Sequence, residues 1–238
     1  MMSYKRRFLP WIYLNFNKHS CIRKPTANIE CETANIIKDV YHQLDNFTSD
    51  SNLNNMFLFD SSGFNVSIKP SNFHNRGVFV SKGSVSENSV VAYYPGTIYS
   101  PGESLLLQSF SNKYIFQCAD GKYIDGKHSS ISRMIYKSCF HRNTLCEYQT
   151  CDLTWMSLAD LLNPLACGQL VNNGGRNNAN VNYYEIDIDL RQVRLPQRKF
   201  IPNVNYSEPT RYLRMIVLLS MRDICEGEEI LSSYFTVC

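Results

Sequence analysis

From residue 63 onward the chain is cut into short β-prone runs, and this chopping constrains its fold more than any other feature. Phe64–Ile68, Gly77–Val80, Ser89–Tyr94, Tyr114–Cys118 and Tyr123–Ile124 follow one another, with Gly, Pro, Asn and Asp between them. Val181–Ile188 and Leu213–Met221 continue the pattern in the last third. Strands this short, with turn residues at small intervals, exclude a helical bundle and predict an α+β, mainly β domain of several small sheets. Asp120-Gly121, between two of the runs, predicts a hairpin turn. Residues 127–163 are mixed in character and predict an insert with a helix and irregular loops.

Upstream of this domain the period changes. Ile36, Ile37, Val40, Tyr41, Leu44 and Phe47 lie on one face of a helix over Thr33 to Phe47. Thr33 is positioned to cap it. Residues 48–56 turn polar and Asn-rich, which predicts a linker. The boundary therefore falls near residue 60: an extension over 1–60 with one helix, then the domain over 61–238. Residues 4–16 carry Phe8, Trp11, Ile12, Leu14 and Phe16, too many apolar groups to leave in water, so this strip is expected to pack on the main domain.

Composition narrows the function classes. Hydrophobic residues make up 44% and charged residues 19%, enough for a substantial core. A net charge of +3 lacks the dense basic stripe of a nucleic-acid binder. No apolar run approaches the ~18 residues that span a bilayer, and no apolar stretch of the secretory kind follows the basic start. The nine cysteines form no CxxC pair and read as free thiols in a reducing, intracellular compartment. Cys139, His141, Cys146 and Cys151 lie near one another but match no zinc spacing, so no metal is expected.

Four clusters stand out, each with a plain structural reading beside a functional one. Arg76-Gly77-Val78-Phe79 is a strand after a turn. Tyr94-Pro95-Gly96 is a strand end running into a turn. Gly168-Gln169-Leu170-Val171-Asn172-Asn173-Gly174-Gly175, running on to Ala179-Asn180, is a tight loop or a set of amide groups offered to a ligand. Asp223 to Tyr234 is an acidic turn into a final strand.

Together and in this order, the four clusters resemble the SET-domain protein methyltransferase family over roughly residues 62–236. The resemblance implies a SET fold with a knot-like C-terminal active site. It implies transfer of a methyl group from S-adenosyl-L-methionine to a lysine of a protein substrate, histone or non-histone, with no direct nucleic-acid or membrane partner. Tyr234 would stand at the methyl-transfer centre and Tyr94 would line the lysine channel. Arg76, Gly77, Val78, Phe79, Asn172 and Asn173, with Tyr234, would contact the cofactor. The chain departs from the family pattern at several positions. Asn75 stands where the first Gly is usual, Asn173 replaces a His, Gly174-Gly175 replace Ser-Cys, and Ala179 replaces Pro. These departures also suit a catalytically inactive SET module acting as a protein-interaction scaffold.

Overall fold

In the computed structural model, which describes residues 27–145 and 151–233, two helices precede the first strand. Helix α1 spans Ala27–Asn46. Ile36, Val40 and Leu44 are buried on one face of it, as helical spacing requires, and Phe47 is buried just beyond its end. The helix begins ahead of Thr33, which therefore lies within it and does not start it. The apolar strip at residues 4–16 falls outside the described residues.

The expected linker is instead a second helix, α2, over Ser51–Ser62. Asp50 caps it, its Oδ1 accepting from the Asn52 and Leu53 N–H groups at 2.8 and 3.4 Å. Gly63 closes it, its N–H donating to Phe59 O at 2.8 Å. The asparagines that suggest a loop have tertiary work. Asn54 is fully buried: Oδ1 accepts from Thr48 N at 2.6 Å, and Nδ2 donates to Thr48 O at 2.8 Å and Leu162 O at 2.6 Å. The described part of the extension does not fold apart. Its buried residues belong to the same core as the strands, with Phe47 edge-on to Phe200 at 5.8 Å.

The remaining elements are β1 Phe64–Lys69, β2 Gly77–Gly83, β3 Val90–Tyr94, β4 Gly96–Tyr99, α3 Leu106–Ser109, β5 Ile115–Gln117, β6 Tyr123–Asp125, α4 Ser130–Leu145, β7 Asn172–Asn173, α5 Gly175–Asn178, β8 Val181–Asp189, β9 Asn203–Asn205, β10 Tyr212–Ser220 and β11 Glu229–Ser232. Seven strands form a sheet in the order β1-β2-β11-β8-β10-β3, with β7 also paired to β11, and four form a second in the order β5-β6-β4-β9. The α+β, mainly β architecture of small sheets is thus as the sequence predicts. The β5–β6 hairpin turns at Asp120-Gly121. The insert holds α4, whose Tyr136 and Cys139 face a small satellite core with Trp155.

Strand β10 anchors the larger sheet. Met215 to Leu218 are fully buried, so both faces of the strand are covered, while β8 and β3 pair with its two edges. A strand covered on both faces reads as a continuous apolar run, and each such side chain contributes about 1.5–3 kcal/mol on burial. Strand β11 serves the site. It runs antiparallel to β2 and parallel to β7 and β8. Three of the four sequence clusters therefore meet along one strand, although they lie far apart in the chain.

Candidate active site

Strand β3 delivers Tyr94 to the floor of a cleft of about 480 Å³. The Tyr94 hydroxyl donates to Tyr114 O at 2.9 Å, and its ring packs on Phe116 at 5.5 Å and Tyr183 at 6.4 Å. Arg76, Asn172 and Asn173 line the same cleft. Four of the residues singled out in the sequence, from three distant segments, are thus brought to one place. Gly77, Val78 and Phe79 run behind it as β2, with Val78 fully buried in the sheet. Tyr234 lies outside the described residues. Ser232, two positions earlier, pairs with Asn173 and Val181 in the sheet, and its Oγ is 3.1 Å from the Tyr183 hydroxyl.

A hydrogen-bonded clasp shapes the cleft wall. Asn172 Nδ2 donates to Arg76 O at 2.9 Å, Glu229 Oε1 at 2.8 Å and Ser71 Oγ at 3.2 Å. The carbonyl and the carboxylate can only accept, so the amide hydrogens must point this way. Ser71 Oγ in turn donates to Glu229 Oε2 at 2.9 Å. The loop before β2 is thereby tied to β7 and β11. Asn173 Oδ1 accepts from Gly175 N at 2.9 Å and opens α5. Asn180 acts as a backbone surrogate for β11: its Oδ1 accepts from Leu231 N at 2.8 Å and its Nδ2 donates to Glu229 O at 2.9 Å.

Gly77 is the position that lets the clasp close. A Cβ there would overlap Glu229 Oε1 and stand 2.8 Å from its Cδ and 3.0 Å from Asn172 Nδ2. Gly77→Ala is expected to cost about 1–3 kcal/mol in urea unfolding by pushing Glu229 out of the clasp. In the Glu229→Ala background the same change should cost little further, because the obstructing carboxylate is gone. Additive costs in the double variant would show that the clasp is not what Gly77 protects.

The structure adds residues that no sequence motif marks. Gln169 keeps only 6% of its surface exposed, yet neither Nε2 nor Oε1 has a hydrogen-bond partner among the described residues, and it lines the cleft. His128 Nδ1 is likewise buried without a partner in the same wall. Burial lowers the His128 pKa, and the positive charges of Arg76, Arg133 and Lys127 lower it further. Lys113 Nζ donates to His74 Nε2 at 2.8 Å, and both residues line the cleft. The tyrosine in an alternating strand is the one sequence signal for Tyr183. An unpartnered amide or imidazole is visible only in three dimensions.

A curated protein of Pongo abelii named SET domain-containing protein 9 is 40% identical to this chain over 184 residues, which is 76% of this chain and 67% of that protein. This chain belongs to the SET-domain family. The Homo sapiens protein of the same name is also 40% identical over 184 residues, 61% of its length, so the match spans about two thirds of these relatives. No protein-family model matches this chain. A solved structure named CpSET8, from Cryptosporidium, is similar over 92% of this chain and 84% of its own, at 16% identity and a TM-score of 0.37.

Outside this cleft, one cluster among the described residues has the composition of a metal site. Ligand atoms of Cys118, Asp120 and Glu185 lie within 4.8 Å of one another. A cation already serves them, since Arg214 pairs with Asp120 at 3.0 Å and with Glu185 at 2.9 Å. The cluster is an ion-pair network of the SET domain.

Proposed function

We propose that the cleft binds S-adenosyl-L-methionine and that the chain is a protein-lysine N-methyltransferase. The observation that carries this reading is the convergence of Tyr94, Arg76, Asn172 and Asn173 on one cleft in a SET-domain chain. The residues present suit the cofactor. The volume is that of a small-molecule site, Arg76 and Lys113 offer positive charge to a carboxylate, and Tyr94 and Tyr183 offer aromatic faces. Gln169 presents a donor and an acceptor that lack partners among the described residues. With its amide hydrogens held in the clasp, Asn172 has its side-chain oxygen to offer to an ammonium group.

The bound cofactor supplies an activated methyl group on a sulfonium. The protein has to hold the acceptor amine in line with that methyl, and alignment of this kind lowers a barrier by ~7–11 kcal/mol. Tyr94, fixed by its bond to Tyr114 O and by two aromatic neighbours, forms one rigid wall of the approach. Tyr234 is assigned the methyl-transfer centre by its place after the Gly227-Glu228-Glu229-Ile230 motif. The acceptor must reach the centre as a neutral amine, against an ordinary lysine pKa of about 10.4. A partly dry cleft lined by cations disfavours the ammonium and favours loss of its proton to solvent.

The test is thermal unfolding with S-adenosylmethionine, with its demethylated product, and with ATP as the control. At a concentration about 100 times the dissociation constant, a ligand of the native state adds ~2.7 kcal/mol. For a chain of this length that raises the melting temperature by roughly 5–10 °C. The first two ligands should give the rise and ATP should not. No rise with either up to millimolar concentration would turn the assignment to a catalytically silent SET module that binds a protein partner. The substitutions at Asn173, Gly174 and Gly175 are the feature that favours that second reading.

A further inference from the structure

Gln169 stands on a pinned backbone. It is the middle residue of a single 3-10 turn over Gly168–Leu170. The turn is closed by Leu170 N donating to Cys167 O at 2.9 Å and Val171 N to Gly168 O at 3.3 Å. Gly168 presses this turn onto β3, since a Cβ there would stand 2.7 Å from Tyr93 O. Gly126 fills the space between Gln169 and Tyr94: a Cβ would meet Tyr94 Cε1 at 2.9 Å and Gln169 Cβ at 3.1 Å. The Gln169 side chain therefore starts beside Tyr94 and lines the cleft with it.

The fold leaves both ends of this amide unanswered. Gln169 is buried, and neither Nε2 nor Oε1 has a partner among the described residues. A carbonyl of the same wall, Tyr114 O, already accepts from the Tyr94 hydroxyl and from Gly126 N, each at 2.9 Å. A buried amide without partners costs stability, and an apolar side chain of similar shape would not. Glutamine at this position is thus a burden on the fold alone, and a ligand that answers it removes the burden.

Such a ligand must offer a donor and an acceptor side by side. A lysine amine offers donors only and would leave Nε2 without a partner. The amino-acid end of S-adenosylmethionine offers both, an ammonium and a carboxylate on one carbon. The adenine edge also offers both, but it lies a ribose away from the sulfonium, whose methyl is delivered beside Tyr94. The charges of the cleft agree with the amino-acid end. Among the described residues no Asp or Glu lines it, so the ammonium must be served by neutral oxygens. Asn173 Oδ1 is taken by Gly175 N. Glu229, behind the wall, has its oxygens held by Asn172 and Ser71. The amide oxygens of Asn172 and Gln169 are placed to serve it.

We infer that Gln169 grips the amino-acid end of the cofactor, Oε1 accepting from the ammonium and Nε2 donating to the carboxylate, and so makes the cleft select ligands that carry this zwitterion. The inference rests on the reading of the cleft as the S-adenosylmethionine site.

The test uses the full chain and two ligands read by calorimetric titration, with no turnover needed. S-adenosylhomocysteine carries the zwitterion. 5′-Methylthioadenosine keeps the adenosine and the sulfur and lacks it. Gln169→Leu should weaken S-adenosylhomocysteine by about 10–100-fold, the loss of hydrogen bonds to charged groups. Methylthioadenosine should change by less than about threefold. Gln169→Met, unbranched like the native side chain, should do the same. Without ligand, both variants should melt at the wild-type temperature or above it, because an unpartnered polar group has been replaced by an apolar one. Equal losses for the two ligands overturn the inference and place Gln169 at the adenosine. An unchanged affinity for S-adenosylhomocysteine also overturns it, as does a wild-type chain that binds both ligands equally. A lower melting temperature in both ligand-free variants, with no selective loss of S-adenosylhomocysteine, would make Gln169 a structural residue. In each of these cases the wild-type chain still binds S-adenosylhomocysteine, and the cofactor assignment stands. A wild-type chain that binds neither ligand overturns both.

Discussion

Gly96→Ala is expected to lower stability by about 3–5 kcal/mol, the sum of an overpacking cost and a backbone-strain cost. Gly96 has φ +142°, a conformation L side chains rarely adopt. The chain needs it there because β3 must end at Tyr94 and turn at once into β4, which belongs to the other sheet. A Cβ would overlap Asp125 O and stand 2.6 Å from Asp125 C and 2.9 Å from Gly126 N. These are backbone atoms of β6 and the residue after it, paired to β4, so no side chain can rotate away. Gly102 gives the control: φ is +92°, and nothing lies within 4 Å of the position of its Cβ. Gly102→Ala should cost only the strain, about 1 kcal/mol. Melting temperatures should differ accordingly, by roughly 2–4 °C for each kcal/mol. Equal losses in the two variants would mean that the close approach to Asp125 carries no weight.

The same Tyr94-Pro95-Gly96 segment shows what was legible in the sequence. Its composition announces a turn, and its order among the four clusters announces a site. Which sheet the chain turns into is set by Asn203, whose Nδ2 donates to Tyr94 O at 3.0 Å from far along the chain. Strands β4 and β9 escaped notice for that reason: Asn203–Asn205 has little strand propensity and is held by parallel pairing to β4. Helix α2 escaped because the value of Asn54 depends on the carbonyl of Leu162. By contrast β10 was plain, since a strand buried on both faces writes its burial into every position. In the site, residue types with a motif were legible: Tyr94, Arg76, Asn172 and Asn173. Gln169 and His128 were not, because a polar group is marked as unpartnered only by what surrounds it.

Arg214→Met is expected to cost about 3 kcal/mol at neutral pH, because the side chain bridges three carboxylates, of which Asp120 also pairs with Lys122 at 2.7 Å. Its Nε donates to Asp187 Oδ1 at 2.8 Å, its Nη1 to Glu185 Oε2 at 2.9 Å, and its Nη2 to Asp187 Oδ2 at 2.9 Å and Asp120 Oδ2 at 3.0 Å. The guanidinium is nearly buried, with 10% of its side-chain surface exposed. Burial opposes its charge, but the hydrogen bond and attraction of Asp187, then Asp120, outweigh this and raise its pKa. Removing one partner of a buried pair costs about 3–5 kcal/mol. Asp120 and Asp187 keep 39% and 45% of their side-chain surface in solvent, so the lower end applies. Arg214→Lys should recover part of the loss, having the charge without the fork. The pH dependence fixes the cause. At Asp120 burial pushes the carboxyl pKa up, and Lys122 and Arg214 more than reverse it, leaving it lowered. A lowered folded pKa contributes stability above the unfolded value, and that stability is lost as pH falls through the folded value. In the methionine variant the carboxylates repel, and protonation relieves them. The gap between the two proteins should therefore narrow from pH 7 to about pH 3–4. The damage should also be local. Asp120 caps the β5–β6 hairpin and Ala119 N donates to Glu185 Oε1 at 2.9 Å, so this network ties the hairpin to β8 and β10. Amide exchange in residues 115–125 should accelerate before the rest of the domain. A gap that stays constant with pH, or exchange that rises uniformly, would place the loss in packing and not in charge.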